Sequence, residues 1–331
     1  MIEVDGREVR IANPDKVFFP DGGITKMDLV RYYLAVGEGA LRGCYQRPVI
    51  MHRFPNGVAA DSFYQKRLPD HRPEWIESVT VSFPSGRWAT MIAPQDVAHI
   101  VWAVNLGCID INPWPVRSSD VDHPDELRVD LDPTPGISYD DVWRTALMVK
   151  DVLTEHELTG FPKTSGKRGM HIYVRIEQRW SFTEVRRAAL ALAREVERRA
   201  GGMATTAWWK EERHGVFVDY NQNARDRSIA SVYSVRPLPD ARVSTPLTWD
   251  EVEGVDPAAF TMATVPERFA AGDPHADIDR RAASLEPLLD LARRDEAGGL
   301  GDAPWPPHFP KADREPRRVS PSRRKRDRPI S

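Results

Sequence analysis

Cysteine is scarce: Cys44 and Cys108 are the only two in 331 residues. Two thiols cannot build a zinc cluster, and both lie in or beside apolar sequence, so they are expected to be buried, reduced thiols of a cytoplasmic protein. No apolar run reaches the length of a membrane span, and the N-terminus MIEVDGREVR is too charged for a secretory signal, which predicts no membrane partner. No internal repeat is visible, and the G-x-x-x-x-G-K-[ST] spacing of a P-loop is missing. A large excess of one charge is missing too, since the formal net charge is −3. Residues 311–331 hold nine Lys or Arg against three Asp or Glu, a net of +6, which leaves −9 on residues 1–310. An acidic body does not coat nucleic acid indiscriminately, although it can carry a local basic groove.

The apolar fraction of 41% and charged fraction of 29% are those of a globular protein long enough to bury a large core. Apolar spacing and caps predict helices over 25–36, 96–105, 138–155 and 181–199. Short alternating or apolar runs predict a hairpin over 1–11 and strands at 47–54, 79–83, 89–93, 108–111 and 127–132. Further strands are expected on both sides of the turn in 161–176, at 215–220 and at 227–235. Helices mixed with antiparallel-looking strand pairs predict an α+β fold with mixed or antiparallel sheets. Residues 1–295 are read as one domain, and 296–331 as a basic tail, rich in Gly, Pro and Arg, that is expected to be disordered.

Three stretches carry chemistry. In LRVDLDPTPG (127–136), Asp130 and Asp132 fall on one face of a strand while Val129 and Leu131 fall on the other. Two carboxylates this close need a counter-charge, and a hard divalent cation such as Mg²⁺ or Mn²⁺ supplies one; the alternative is a solvent-facing pair on an edge strand. TSGKRGMH (164–171) sets glycines, Ser165, Lys167, Arg168 and His171 around one turn. Exposed backbone N–H groups and cations suit a polyphosphate, though a plain hairpin turn with solvated basic residues has the same composition. VFVDYNQNARDR (216–227) ends an apolar strand on Asp219, which is either a third metal ligand or the start of an Asx turn.

Together these motifs resemble the primase-like polymerase domain of bacterial ATP-dependent ligase D, within the archaeo-eukaryotic primase superfamily. The resemblance extends to NPDKVFFPDGGITKMDLVRYY (13–33), DSFYQKRLPDHRPEW (61–75) and TPLTWDEV (245–252), and so covers nearly the whole body. It implies a central cleft flanked by helices. It implies that Asp130, Asp132 and Asp219 hold two catalytic Mn²⁺ or Mg²⁺ ions. Ser165, Arg168 and His171, with Gln222 and Arg236, are implied to hold the triphosphate of an incoming nucleoside triphosphate. Asn13, Lys16 and Lys26 match a pocket for a downstream 5′-phosphate, and Phe63 and Tyr64 an aromatic pair that stacks on the template.

Two positions depart from the family pattern: Asn112 stands where a histidine is usual, and Arg168 where a lysine is common. These departures resemble the stand-alone branch, as expected for a chain without ligase or nuclease sequence. The implied function is template-directed nucleotide addition, with ribonucleotides preferred, at gaps or breaks in DNA that carry a 5′-phosphate. A ligase or end-binding protein is the implied protein partner, non-homologous end joining the implied process, and a nucleoid-associated monomer the expected state. The competing readings are a DNA-end or 5′-phosphate binding module with weak or lost catalysis, and a primase that starts chains unaided.

Overall fold

The computed structural model describes residues 1–306 and 308–309. Its N-terminal half contains β1 (Ile2–Val4), β2 (Arg7–Val9), β3 (Val17–Phe19), β4 (Ile24–Thr25), α1 (Lys26–Ala35), α2 (Gly37–Cys44) and β5 (Val49–Arg53). There follow β6 (Phe63–Gln65), β7 (Ser78–Ser82), β8 (Trp88–Ile92), α3 (Val97–Asn105) and β9 (Cys108–Pro113). The C-terminal half contains β10 (Glu126–Pro133), α4 (Tyr139–Glu155), β11 (Phe161–Thr164), β12 (Met170–Arg175), α5 (Phe182–Arg199), β13 (Ala204–Thr205), β14 (Val216–Asp219), α6 (Val265–Ala271) and α7 (Glu286–Ala297). The fold is α+β, as expected.

Local chemistry explains the boundaries. Asp5 and Gly6 both take positive φ between β1 and β2, the turn geometry that matches strand twist. Thr25 and Ser181 open α1 and α5 with reciprocal capping boxes to Asp28 and Glu184. Ser138 caps α4 through the Asp141 amide.

Two five-stranded sheets organise the chain. The first runs β6-β5-β8-β7, with β9 paired antiparallel to β5. The second runs β11-β12-β10-β14-β13, antiparallel except for the β13–β14 pair. Leu127, Val129 and Leu131 of β10 join a core with Val142, Ala146 and Val149 of α4 and Val185, Ala189 and Leu192 of α5. A separate core places α1 and α3 against β5 and β9. The other face of β10 carries Glu126, Arg128, Asp130 and Asp132, so one strand presents an apolar face to the helices and a charged face away from them. Both cysteines are buried.

Two expectations change. Residues 227–235 form no strand, only an isolated bridge from Val235 to Val243. Their amides instead reach Ile111 and Ser244 carbonyls, and Tyr233 adopts φ 58°, so apolar content here marks buried irregular chain. The stretch read as tail from 296 is packed through its first residues: the fully buried Arg186 of α5 donates to Asp302 and to the carbonyls of Ala303 and Pro304, and lies over the Trp305 ring. The basic residues 311–331 lie outside the described residues. Among the described residues no helix is long and apolar enough to cross a membrane.

Candidate active site

Strand register assembles the carboxylates. Asp130 on β10 pairs with His171 on β12 and with Asp219 on β14, which sets the three side by side across the sheet. Asp132 lies two residues along on the same face. One carboxylate oxygen from each aspartate lies within 4.8 Å of the other two. Asp130 is buried, Asp219 half-buried and Asp132 exposed. Among the described residues none of the three forms an ion pair with Lys or Arg. Asp130 Oδ1 is buried without a hydrogen bond, 3.3 Å from His171 Nε2. Asp219 accepts from the Asn221 amide at 2.9 Å and from Gln222 Nε2 at 3.3 Å.

Burial and mutual repulsion raise the pKa of all three carboxyls. Burial pushes Asp130 up to about 6. Asp130 itself, then burial and Asp219, push Asp132 up to about 7. Burial and Asp130 raise Asp219 as well. Three hard oxygen ligands, one of them an orphaned buried oxygen, fit a divalent metal ion, which would replace the missing cations. The sign follows. A carboxyl raised in the folded state stabilises below its unfolded pKa near 4, and that stability is lost as pH rises through 6–7. Asp132→Asn is therefore expected to raise the melting temperature of EDTA-treated protein at pH 7.5, with the gain shrinking toward pH 5. Mg²⁺ or Mn²⁺ should stabilise the wild type more than the variant. Equal melting temperatures in EDTA at both pH values would refute the crowding.

Asp130 and Asp132 line a cleft of about 870 Å³ whose walls also include Ser165, Lys167, Arg168, His171 and Arg236. Ser165 Oγ accepts from the Lys167 and Gly169 amides at 3.2 and 3.0 Å, which shapes the turn and leaves its own O–H to donate. Gly169 is required by proximity: a Cβ there would lie 2.4 Å from the Leu131 carbonyl oxygen. Arg236 Nη1 donates to Asp110 Oδ1 at 2.8 Å, and its Nε is buried without a partner. The sequence reading passed over Asp110 and Lys163. Asp110 is buried on β9 and lines the cleft; Lys163 is fully buried on β11, with Nζ 2.8 Å from His171 Nδ1.

A family model described as "LigD, primase-polymerase domain" matches residues 25–275. The chain belongs to the LigD primase-polymerase domain family, a family of nucleotidyltransferases. The multifunctional non-homologous end joining protein LigD of Mycolicibacterium smegmatis is 29% identical over 92% of this chain and 40% of its own length. The LigD proteins of Mycobacterium tuberculosis and Bacillus subtilis are 31% and 28% identical over 76% and 85% of this chain. The chain thus spans less than half the length of these curated relatives. The polymerase domain from Mycobacterium tuberculosis ligase D in complex with DNA superposes with a TM-score of 0.78 at 30% identity, over 83% of this chain and 99% of that one.

Around this LigD-type cleft the remaining expected residues fall into three groups. Gln222 sits on Asp219, beside the carboxylates. Asn13, Lys16 and Lys26 lie together at the start of α1: the Lys26 amide donates to the Lys16 carbonyl, and the Lys16 amide to the Asn13 carbonyl. Lys16 Nζ is half-exposed on Asn56 Oδ1 at 2.7 Å. Lys26 is buried and donates to the Ala12 and Asn105 carbonyls at 2.6 and 3.1 Å; burial, then Lys16, lowers its pKa. Phe63 and Tyr64 are both exposed on β6, but adjacent strand residues face opposite ways. Tyr64 stacks on His52 at 4.0 Å and lines the cleft, while Phe63 lies under Arg53. Asn112 also lines the cleft, with Nδ2 donating to the Asp110 carbonyl at 3.1 Å.

Proposed function

We propose that this protein adds nucleotides, ribonucleotides preferentially, to a 3′ end at short gaps or breaks in DNA, directed by template and by a downstream 5′-phosphate. The observation that carries this reading is the Asp130–Asp132–Asp219 cluster, of which Asp130 and Asp132 line one cleft with the basic turn. Asp130, Asp132 and Asp219 would hold two divalent ions, Mg²⁺ or Mn²⁺, whose chemistry is to neutralise phosphate charge and ease deprotonation of an attacking hydroxyl. Ser165 and the amides of its turn would donate to phosphate oxygens, and Arg168 and Arg236 would offset their charge. His171 would stand between the triphosphate and Asp130. Gln222 would orient the Asp219 carboxylate. Tyr64, held flat against His52, would offer a face to a template base, a contact worth roughly 1–3 kcal/mol and indifferent to base identity. DNA repair by end joining agrees with the names of the relatives, and a ligase or end-binding protein would be the partner.

Primer extension on a gapped duplex with Mn²⁺, with ribo- and deoxynucleotides compared, tests the proposal. Binding of the duplex without extension by either nucleotide would instead assign the chain to DNA-end capture.

The 5′-phosphate site separates two kinds of lysine. Lys26 is committed to backbone carbonyls, so its removal disturbs the fold of residues 12–26 as well as any ligand. Lys16 spends one N–H on an exposed asparagine and is free to take a phosphate. Lys16→Ala is expected to weaken a gapped duplex with a downstream 5′-phosphate about tenfold, since hydrogen bonds to charged groups are worth about 1.5–3 kcal/mol. The same duplex with a 5′-hydroxyl should bind almost unchanged. Equal losses in a fluorescence anisotropy titration would reduce Lys16 to general electrostatics.

A further inference from the structure

Lys163 is one of the largest fully buried side chains, and it does not line the cleft. It pairs in register with His171 across β11 and β12, on the same face. Its Nζ makes two hydrogen bonds, to Ser244 Oγ and, at 2.8 Å, to His171 Nδ1. The direction of the first is fixed, because the Ser244 hydroxyl gives its own hydrogen to the Thr164 carbonyl at 2.8 Å. Ser244 therefore accepts from Lys163. The Tyr173 ring closes the third side of the ammonium at 5.3 Å.

An ammonium has three donors and no acceptor, so His171 Nδ1 must accept as well. Burial and Arg236 pull Lys163 below the usual lysine range, with Asp130 and Asp110 opposing. A neutral amine would keep two N–H groups, enough for both bonds, but its lone pair could also accept from Nδ1–H, so it is the ammonium, between Asp130 and Asp110, that leaves Nδ1 only the acceptor role. A neutral imidazole that accepts at Nδ1 carries its proton on Nε2. That nitrogen faces the cleft, 3.3 Å from Asp130 Oδ1. An N–H there donates to an anionic ligand, whereas the other tautomer would turn a lone pair toward phosphate oxygens.

We propose that Lys163 is a positioning residue that fixes His171 as its Nε2–H tautomer, so that His171 meets a phosphate-bearing ligand as a hydrogen-bond donor. The ligand part of this proposal rests on the nucleotide reading given above. Lys163 itself touches no ligand and acts only through the ring.

Long-range ¹H–¹⁵N spectra of the full chain, labelled on histidine, treated with EDTA and held at pH 8, test the assignment. The His171 signals are identified by their loss in His171→Asn. The expected result is a single Nε2–H tautomer with a hydrogen-bonded Nδ1. In Lys163→Met the ring should become a mixture of tautomers, and Lys163→Gln, whose amide N–H can still donate, should restore Nε2–H. The Met variant should also raise the nucleotide KM about tenfold with a smaller change in kcat. A wild-type His171 that carries Nδ1–H, or whose Nδ1 accepts no hydrogen bond, overturns the proposal without any variant. An unchanged tautomer in Lys163→Met overturns it too. If the tautomer shifts as expected but neither protein binds nucleoside triphosphate, the role of Lys163 stands and the nucleotide reading fails.

Discussion

Asp130→Ala is expected to abolish nucleotide addition on a gapped duplex, with a fall of at least about 10³-fold. Asp130 is the central member of the triad, flanked in register by His171 and Asp219, and the one most removed from water. Without it the remaining pair, Asp132 and Asp219, has no third oxygen ligand to hold an ion between them. Charge stabilisation by a bound metal is worth several kcal/mol, and a 10³-fold loss corresponds to about 4 kcal/mol at 1.36 per tenfold. The fold should survive. Val129 and Leu131 on the opposite face of β10 supply the packing, and deleting a crowded carboxylate relieves repulsion. Single-nucleotide extension and thermal melting on the same preparation separate the two effects. Extension within a few-fold of wild type would refute a metal role for Asp130, and a lost melting transition would mean that the residue is structural. Gln222→Ala is a useful contrast: it removes one 3.3 Å hydrogen bond to Asp219 and should slow addition without abolishing it.

The alternation in LRVDLD was enough to place Asp130 and Asp132 on one face, because the period of a strand is local. The apolar partners of that strand were legible for the same reason. Which strands flank β10 was not, since pairing between residues 130 and 219 depends on topology; Asp219 and His171 were singled out on their own motifs, and only the family resemblance joined them to Asp130 and Asp132. Asp110 and Lys163 were missed, although a signal existed. Asp110 and Asn112 repeat in CIDIN the same spacing as Asp130 and Asp132, and Lys163 is a lone cation on an apolar strand beside the basic turn. A single buried polar residue reads as noise until its partner across the sheet is known. The lysines near α1 show a second limit. Sequence gives no sign that Lys26 spends its donors on carbonyls while Lys16 keeps a solvent-facing end. Phe63 and Tyr64 show a third: adjacency in sequence is opposition on a strand. The stretch 227–235 was misread because apolar content signals burial, and burial here is supplied by irregular chain between the two sheets.

The largest stability effect is expected at the other end of β10, from Glu126→Gln. The charged face of this strand is balanced at its start and unbalanced at its end. Glu126 is buried and accepts from Arg128 Nε at 2.7 Å and from Arg175, its register partner on β12, with Arg47 3.6 Å away. Asp125 takes both Arg47 Nη1 and Nη2, at 2.6 and 2.9 Å, and Arg117 Nε at 2.7 Å. Burial opposes ionisation of both carboxyls, but Arg47, Arg175 and their neighbours win, holding Asp125 at about 2 and Glu126 well below the usual carboxylate range. The arrangement ties β10 to β12 and, through Arg47, to the chain entering β5, so it sets the register that brings Asp130 to His171. A glutamine of the same shape removes the charge and leaves three buried guanidinium groups around it. Breaking a buried pair on one side costs about 3–5 kcal/mol. Sign decides the pH dependence: carboxyls depressed in the folded state stabilise above their unfolded pKa near 4, and that contribution is lost as pH falls toward 2. The difference in unfolding free energy between wild type and Glu126→Gln, taken from urea titrations, should therefore be full at pH 7 and shrink below pH 4. A difference under about 1 kcal/mol at pH 7 would mean that the arginines find other partners, and that the balanced half of β10 is not what holds the unbalanced half in place.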